Sequence, residues 1–333
     1  MSDRPRAPRV LRSAGVGLGA LVPLGAGDTP SVMSPRDMAL AALTSVVWGL
    51  GFVAIKLGLE SFSAPQLVAA RFLIACLPIL WVPRPRLSWA AIVLIGTTLF
   101  TGQFLLLFFA FAQGMPPGLA SVSQQMQAFF TVLLAAIFLR DVPTRRQGLG
   151  MVIAFAGLVL IGSTAGGDLK LSALGLALAS AFSWAVGNVL VKRTSGVPVF
   201  PLVVWASLVP PLPALLVSGL TGPGPSFVAA ILGASWVSVA GAVYLGALAT
   251  VLAYATWGAL LRRYPAAVVA PFALIAPCAG VLSSALIFDE VFGPVRYAGM
   301  ALILAGLAVI VLPSRTPDGG DRIARAWQGE DTP

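Results

Sequence analysis

Apolar residues in this chain gather into ten long segments, which short polar connectors separate. A helix of roughly 20 apolar residues crosses the hydrocarbon core of a bilayer. Backbone groups find no water in lipid, so helices or closed barrels are required, and these segments lack the alternation of barrel strands. The pattern predicts an all-α membrane protein with ten transmembrane helices, at residues 38–58, 65–82, 89–111, 118–139, 147–163, 171–191, 199–219, 236–260, 266–288 and 295–312.

Arginine and lysine residues lie almost entirely in every second connector, and this distribution orients the predicted helices. Positive charge stays on the cytoplasmic side during membrane insertion. The intervening connectors hold only Lys170 and Arg296, so we expect both termini to be cytoplasmic. The basic clusters are Arg4 to Arg36, Arg84 and Arg86, Arg140 to Arg146, Lys192 and Arg193, Arg262 and Arg263, and Arg315 to Arg325.

The second half of the chain repeats the first. Trp, Gly and Lys recur in the same register at residues 48–56 and 184–192, and the pattern that begins at Gly150 returns at Gly299. Each copy holds five predicted helices, so the copies enter the membrane in opposite directions. Inverted repeats of this kind place a substrate site near the midplane and alternate its access to the two sides. The predicted divisions are an N-terminal cytoplasmic tail at 1–36, two five-helix repeats at 37–163 and 170–312, and a C-terminal cytoplasmic tail at 313–333.

The N-terminal stretch differs from the rest because it is rich in arginine and then in glycine. A signal peptide between Arg12 and Ala26 is disfavoured, since Pro23 and several glycines interrupt it. Two interpretations remain open: a disordered cytoplasmic tail, or an extension upstream of a true start at Met33.

The composition argues against several classes of function. The chain has 333 residues, of which 10% are charged, against roughly 25% in soluble proteins. Its net charge of +9 is distributed over helix ends, which indicates orientation and anionic headgroups and disfavours a nucleic-acid partner. The sequence contains no His, and Cys76 and Cys278 lie in apolar segments as expected small core residues. We therefore predict no metal site and no cofactor.

Acidic residues also lie outside the apolar segments, at helix ends, in connectors and in the tails. A membrane-embedded transferase would need a buried base or nucleophile, and exporters of cationic drugs need a buried carboxylate. The sequence therefore predicts no catalytic residue and disfavours both classes. A non-transporting scaffold is a further alternative, against which the repeat argues.

The fourth predicted helix is unusually polar, with three glutamines and two serines among residues 121–127. Such side chains are costly against lipid, so they face other helices or a wet cavity. Helix-to-helix hydrogen bonding is one interpretation. The other is an amide-lined cavity, which Gln103 and Asn188 would extend and which suits a small zwitterion or polar metabolite.

Two cations and several aromatic residues also lie inside the predicted helices. Lys56 and Arg71 either reach the membrane surface or pair with Glu60, or they meet a substrate carboxylate on its path. Trp48 and Trp184, together with Tyr254 and Trp257, either pack in the core or shape a cavity.

These residues resemble the EamA branch of the drug/metabolite transporter superfamily. The resemblance is carried by the Trp-Gly-x-x-Phe-x-x-x-Lys run at 48–56, the doubled ten-helix arrangement and the acidic pair at Asp289-Glu290. The segments 114–131, 181–188 and 257–264 are most similar to the cysteine and O-acetylserine exporters of that family. Ser123, Gln124 and Met126 depart from that pattern, which puts the substrate in doubt. The resemblance implies export across the inner membrane and a cavity between the first, third, fourth, sixth, eighth and ninth helices.

The combined hypothesis is a multi-pass inner-membrane exporter of cysteine, O-acetylserine or related amino acids, working by alternating access. An aromatic amino acid, a sugar or a nucleotide-like compound is the alternative substrate. The expected partners are a small zwitterionic or polar metabolite and the lipid bilayer, not nucleic acid. The predicted substrate-binding residues are Trp48, Lys56, Arg71, Gln103, Ser121, Gln125, Gln127, Trp184, Asn188 and Trp257.

Topology can be tested with a reporter fused to either end of the chain. An even number of crossings returns the chain to its starting side, and the basic connectors place that side in the cytoplasm. We expect both fusions to be active with a cytoplasmic reporter and silent with a periplasmic one. Opposite results at the two ends would contradict the ten-helix inverted repeat.

Overall fold

The fold is an all-helical bundle in which ten apolar segments follow one another along the chain. The computed structural model describes residues 33–140, 143–165, 169–194, 196–220 and 224–312, and no strand occurs within those ranges. The ten predicted helices are confirmed there, although the second is shorter than the others. They are α1 (Pro35–Gly58), α2 (Ala64–Leu80), α3 (Trp89–Ala112), α4 (Pro117–Leu139), α5 (Arg145–Gly162), α6 (Leu171–Arg193), α7 (Val199–Leu220), α8 (Trp236–Arg263), α9 (Ala270–Phe288) and α10 (Pro294–Val311). Most of the two predicted tails lies outside the described residues.

The second helix is short because its regular α-helical geometry ends early. Ser63 and Gln66 cap its first turn reciprocally, each side chain accepting from the other's backbone. Regular α geometry ends at Ala75, and a 3₁₀ segment with Pro78 follows at Leu77–Leu80. Proline has no N–H to donate and clashes with the preceding turn, so the regular helix stops there.

Equivalent helices of the two halves share the same irregularity. Both α3 and α8 contain a π-helical segment, at Gly96–Gly102 and Tyr244–Leu252. In the first, the Thr101 hydroxyl donates to the Gly96 carbonyl at 3.2 Å, and in the second Thr250 donates to Leu245 at 2.8 Å. Each bond reaches five residues back, which is the spacing of a π-helix. A shared local distortion therefore accompanies the sequence repeat.

The fourth and ninth helices form a second matched pair. Regular geometry in α4 is interrupted at 124–125, between Pro117–Ser123 and Met126–Leu139. In α9 a 3₁₀ turn precedes the α-helical part, Ile275–Phe288. Both helices end at a left-handed residue, Arg140 with φ of 54° and Asp289 with φ of 51°. This conformation commonly terminates helices, although glycine usually supplies it.

The fifth and tenth helices cross at four glycines, and each helix contributes two of them. A Cβ added to Gly157 would lie 2.5 Å from the Gly299 carbonyl oxygen, and one added to Gly306 would lie 2.5 Å from that of Gly150. Because Gly150 corresponds to Gly299 and Gly157 to Gly306, the two contacts are related by the pseudo-twofold of the repeat. Small residues permit this close approach of helices in a membrane.

Large apolar side chains cover much of the outer surface, as lipid requires. Leu43, Ile137, Val152 and Leu286 are all more than half exposed. Cys278 lies on this surface too, so its expected burial in the core is wrong. A thiol behaves as a small apolar group, and lipid accepts it as readily as a protein core does.

The helix crossing generates a stability prediction with a control in the same helix. Gly157→Ala forces a methyl group against backbone, so we expect a loss of about 1–3 kcal/mol. Gly148 has open space at the Cβ position, and Gly148→Ala should be neutral or stabilising by up to about 1 kcal/mol. Thermal unfolding of the purified protein in detergent measures both changes. Equal behaviour of the two variants would contradict the close crossing.

Candidate functional site

A cavity with an empty volume of about 600 Å³, part of it open to solvent, lies among α1, α2, α3, α4, α6 and α8. Residues of α1 that line it fall between Trp48 and Ile55, in the half of the helix nearer Gly58. The resemblance to the EamA branch predicts that the ninth helix forms part of this wall. Among the described residues, the wall contains Arg71 of α2 and no residue of α9. A Cβ on Gly49 would lie 2.5 Å from the Ala276 carbonyl oxygen, so α9 packs directly behind α1.

Arg71 of α2 is a buried cation on the cavity wall, with a residue exposure of 5%. Its Nε donates to the Thr250 hydroxyl at 3.1 Å, and its guanidinium lies 3.8 Å from the centre of the Phe104 ring. The described residues that line the cavity include no carboxylate. A guanidinium carries five N–H donors, so this cation keeps a capacity to bind an anion. It contacts Thr250, and not the Glu60 considered from the sequence.

The π segment of α8 positions Arg71. The Thr250 hydroxyl gives its hydrogen to the Leu245 carbonyl, so its oxygen is left to accept from the Arg71 guanidinium. Sequence reasoning missed Thr250, although its match with Thr101 in the repeat was a usable signal. The bond also joins the two halves, since α2 belongs to the first and α8 to the second.

Two glutamine amides form another part of the wall. The Gln124 amide nitrogen donates to the Ser180 hydroxyl at 2.8 Å, and Ser180 donates to the backbone carbonyl of Gln103 at 2.7 Å. The side-chain oxygens of Gln103 and Gln124 are both buried and have no hydrogen-bond partner. An unpaired buried acceptor costs about 1–3 kcal/mol. Gln124 lies at the break in α4. It belongs to the polar cluster of the fourth predicted helix but is not among the substrate-binding residues predicted from the sequence.

Aromatic rings make up much of the remaining wall. The Trp48 indole donates to the Ala249 carbonyl at 3.0 Å and meets Tyr254 edge-on at 5.4 Å between ring centres. Trp184 lies on the wall as well. Trp257 packs behind Trp48 at 5.1 Å between ring centres and is only 1% exposed, so it supports the wall without lining it.

Four predicted site residues instead mediate contacts of α4 with itself and with its neighbours. The Ser121 hydroxyl lies 2.7 Å from the Gly118 carbonyl and 3.2 Å from that of Pro277 in α9. Asn188 of α6 donates to the Gln127 side-chain oxygen at 2.8 Å, and the Gln125 amide donates to the Ser121 carbonyl at 3.3 Å. A helix turns once in 3.6 residues, so neighbouring polar positions face different partners. Of this cluster, Gln124 faces the cavity.

Lys56 lies outside the cavity wall, near the Gly58 end of α1. Its Nζ is 3.4 Å from Glu290 and 4.0 Å from the centre of the Phe288 ring. Glu290 also accepts from the Gly118 amide at 3.2 Å and from the Ser284 hydroxyl. Glu60 was the partner considered from the sequence, but folding brings the ninth helix beside Lys56. This network joins α1, α4 and α9.

A second network lies at the Pro35 end of α1. Tyr264 donates its hydroxyl hydrogen to Asp37 at 2.7 Å, and Arg263 lies 3.4 Å from the same carboxylate. Met33, Trp257, Leu260, Leu261 and Val269 form a buried apolar cluster beside it. We call the Asp37, Arg263 and Tyr264 contacts the Asp37 latch. The cavity lining on α1 runs from Trp48 to Ile55, so the cavity extends from the middle of α1 towards its Gly58 end.

The two halves have counterparts in known proteins. The sequence matches the EamA-like transporter family over residues 37–163 and again over 171–312. The chain belongs to the EamA-like transporter family. Each match covers one five-helix half of this EamA-like protein, so the repeat is a property of the family.

Relatives of this EamA-like protein include named exporters. A "probable amino-acid metabolite efflux pump" of Salmonella typhimurium is 40% identical, over 85% of this chain and 97% of that protein. A "probable terminal-alkyne amino-acid exporter" of Streptantibioticus cattleyicolor is 30% identical, over 80% of this chain and 91% of the other. A solved crystal structure at 21% identity covers 85% of this chain and 99% of its own, with a TM-score of 0.59. That likeness supports the fold alone.

The Asp37 latch can be tested by removing one hydroxyl. Tyr264→Phe removes a bond to a charged group worth about 1.5–3 kcal/mol, so the closed end should open more often. The reporter is Ala41→Cys in a Cys76→Ser, Cys278→Ser background, because Ala41 is a buried member of the apolar cluster beside the latch. It should then react about tenfold faster with a membrane-impermeant maleimide. Tyr297→Phe, which removes a hydroxyl outside the latch, is the control. Equal rates in both variants would show that the latch does not close this end.

Proposed function

We propose that this EamA-like protein exports amino acids and closely related metabolites across the bacterial inner membrane. The observation that carries the proposal is a buried guanidinium on the wall of a central cavity that, among the described residues, contains no carboxylate. The names of the two exporters similar to this chain support the same substrate class. Cysteine and O-acetylserine, which the sequence resemblance implies, are the first substrates to test.

Arg71 would bind the substrate carboxylate. Guanidinium and carboxylate match in geometry, and a hydrogen bond between them is about twice as strong as one between neutral groups. Thr250 and the Phe104 ring hold the guanidinium in place, so little freedom is lost when an anion arrives. A purely cationic substrate would meet an unopposed positive charge. The site therefore favours amino acids over cationic drugs.

The aromatic wall would bind the substrate side chain. Trp48, Phe52, Phe104 and Trp184 line the cavity and offer apolar faces on several sides. Burying a methylene group against such a surface stabilises a complex by about 0.8 kcal/mol. Amino acids with apolar side chains should therefore bind more tightly than serine or glycine. The alkyne amino acid in the name of one relative belongs to this apolar group.

Two networks at opposite ends of α1 would support alternating access. The Lys56–Glu290 pair and the Asp37 latch each connect residues of the first half with residues of the second. A carrier that rocks its halves exposes the central site to one side at a time. Opening the Pro35 end requires the latch to break, while contacts at the Gly58 end close over the cavity.

Substitution of Arg71 tests the proposed function. Uptake of labelled cysteine and leucine into everted membrane vesicles should fall at least tenfold in Arg71→Gln and less in Arg71→Lys, which keeps the charge. Arg84→Gln, at an exposed arginine in a connector, is the matched control. Membrane abundance and elution from a sizing column report whether each variant folds.

The substrate carboxylate can be examined in the same vesicles. Leucinamide lacks the negative charge, so it should compete weakly with leucine in the wild type. In Arg71→Gln the opposing positive charge is absent, so leucinamide should compete at least as well as it does in the wild type. Full uptake of cysteine and leucine by Arg71→Gln at normal abundance would contradict the proposal.

A further inference from the structure

We infer that Gln103 and Gln124 form the subsite for the substrate's ammonium group, so that the carrier selects free α-amino acids over analogues without a primary amine. This inference rests on the proposed function and concerns the same cavity. It adds a recognition element that neither the resemblance nor the relatives' names supply. The observation behind it is the pair of unpartnered amide oxygens on the wall.

The bonding around the two amides leaves their oxygens unused. Ser180 accepts from the Gln124 amide nitrogen and passes its own hydrogen to the Gln103 backbone, so this chain of bonds sets the direction of the Gln124 amide. The Gln124 oxygen must then point the other way. Gln103 is 3% exposed and Gln124 is 1% exposed, and both line the cavity. Buried polar atoms nearly always find partners, so two orphan acceptors in one wall indicate a missing donor.

The charge of the wall specifies what that donor is. An ammonium group offers three hydrogens and no acceptor, which complements carbonyl oxygens. The positive Arg71 opposes any ligand that carries only an ammonium group. A ligand with both charges is neutral overall and satisfies both parts of the wall at once. An α-amino acid holds its carboxylate and ammonium on adjacent atoms, and Gln103 is the chain neighbour of Phe104, which contacts Arg71.

The amide oxygens are shielded from water in this conformation, so a ligand reaches them after the groups that cover them move. Gln124 lies where the regular geometry of α4 is interrupted, and the backbone there can adjust while the Gln124–Ser180 bond is kept. A des-amino analogue would leave both oxygens unsatisfied, and a hydroxyl analogue, which has one O–H donor, would satisfy only one of them. A site built to bond a polar group rejects a ligand that lacks it far more strongly than an apolar pocket rejects a change of size.

The test compares matched ligands on the purified full-length protein in detergent. Calorimetric Kd values are measured for leucine and its des-amino analogue 4-methylpentanoate, and for cysteine and 3-mercaptopropanoate. In the wild type we expect each amino acid to bind at least tenfold more tightly than its analogue. In Gln124→Met, and separately in Gln103→Met, the affinity for the amino acids should fall at least tenfold, while the affinity for the analogues should change less than twofold. Methionine keeps the length of the side chain and removes its acceptor.

Gln113→Met serves as the control, since this exposed glutamine bonds Ser172 far from the cavity wall. Unchanged binding of the analogues shows that a variant is folded. If one of the two glutamine variants does not fold, the other variant carries the test. Equal weakening of both ligands, or no weakening of either, overturns the ammonium subsite. Equal affinity of the wild type for both members of a pair overturns it too and leaves the proposed function intact. A wild type that binds none of the four ligands overturns both.

Discussion

Backbone amides inside a bilayer have no water to bond, so every carbonyl and N–H group must find its partner within the protein. Departures from regular helix geometry are acceptable there only where side chains or a polar cavity compensate. The π segment of α8 and the break in α4 each place a polar residue, Thr250 and Gln124, next to the cavity. The irregularities in α8 and α4 thus supply two of the polar groups at the proposed site.

The electrostatics of the cavity follow from a sparse set of charges. Arg71 is held by a hydroxyl and an aromatic ring, neither of which neutralises it. The charged pairs that the structure describes lie at the two ends of α1 and leave the middle of the bundle to Arg71. A positive centre with neutral acceptors nearby is complementary to a zwitterion. The ends of the bundle can then change their contacts without altering the charge at the centre.

Sequence reasoning located the polar helix and did not determine which of its polar side chains line the cavity. Gln103, Arg71, Trp48 and Trp184 were predicted for the site, and the structure places all four on the cavity wall. Ser121, Gln125, Gln127 and Asn188 were predicted as well, but their hydrogen bonds lie within and between helices. Composition shows that such amides need partners, and it does not show whether another helix or a ligand provides them.

The sequence by itself determined the helical class, the ten crossings and the inverted repeat, because each depends on local hydrophobicity and on residues that recur in register. Only the tertiary structure decided which helices lie side by side. Close glycine contacts place α9 behind α1 and bring Glu290 to Lys56, and a hydroxyl freed by a π turn meets Arg71 across the halves. Such contacts depend on helix rotation and crossing, which a single sequence does not encode in any local pattern.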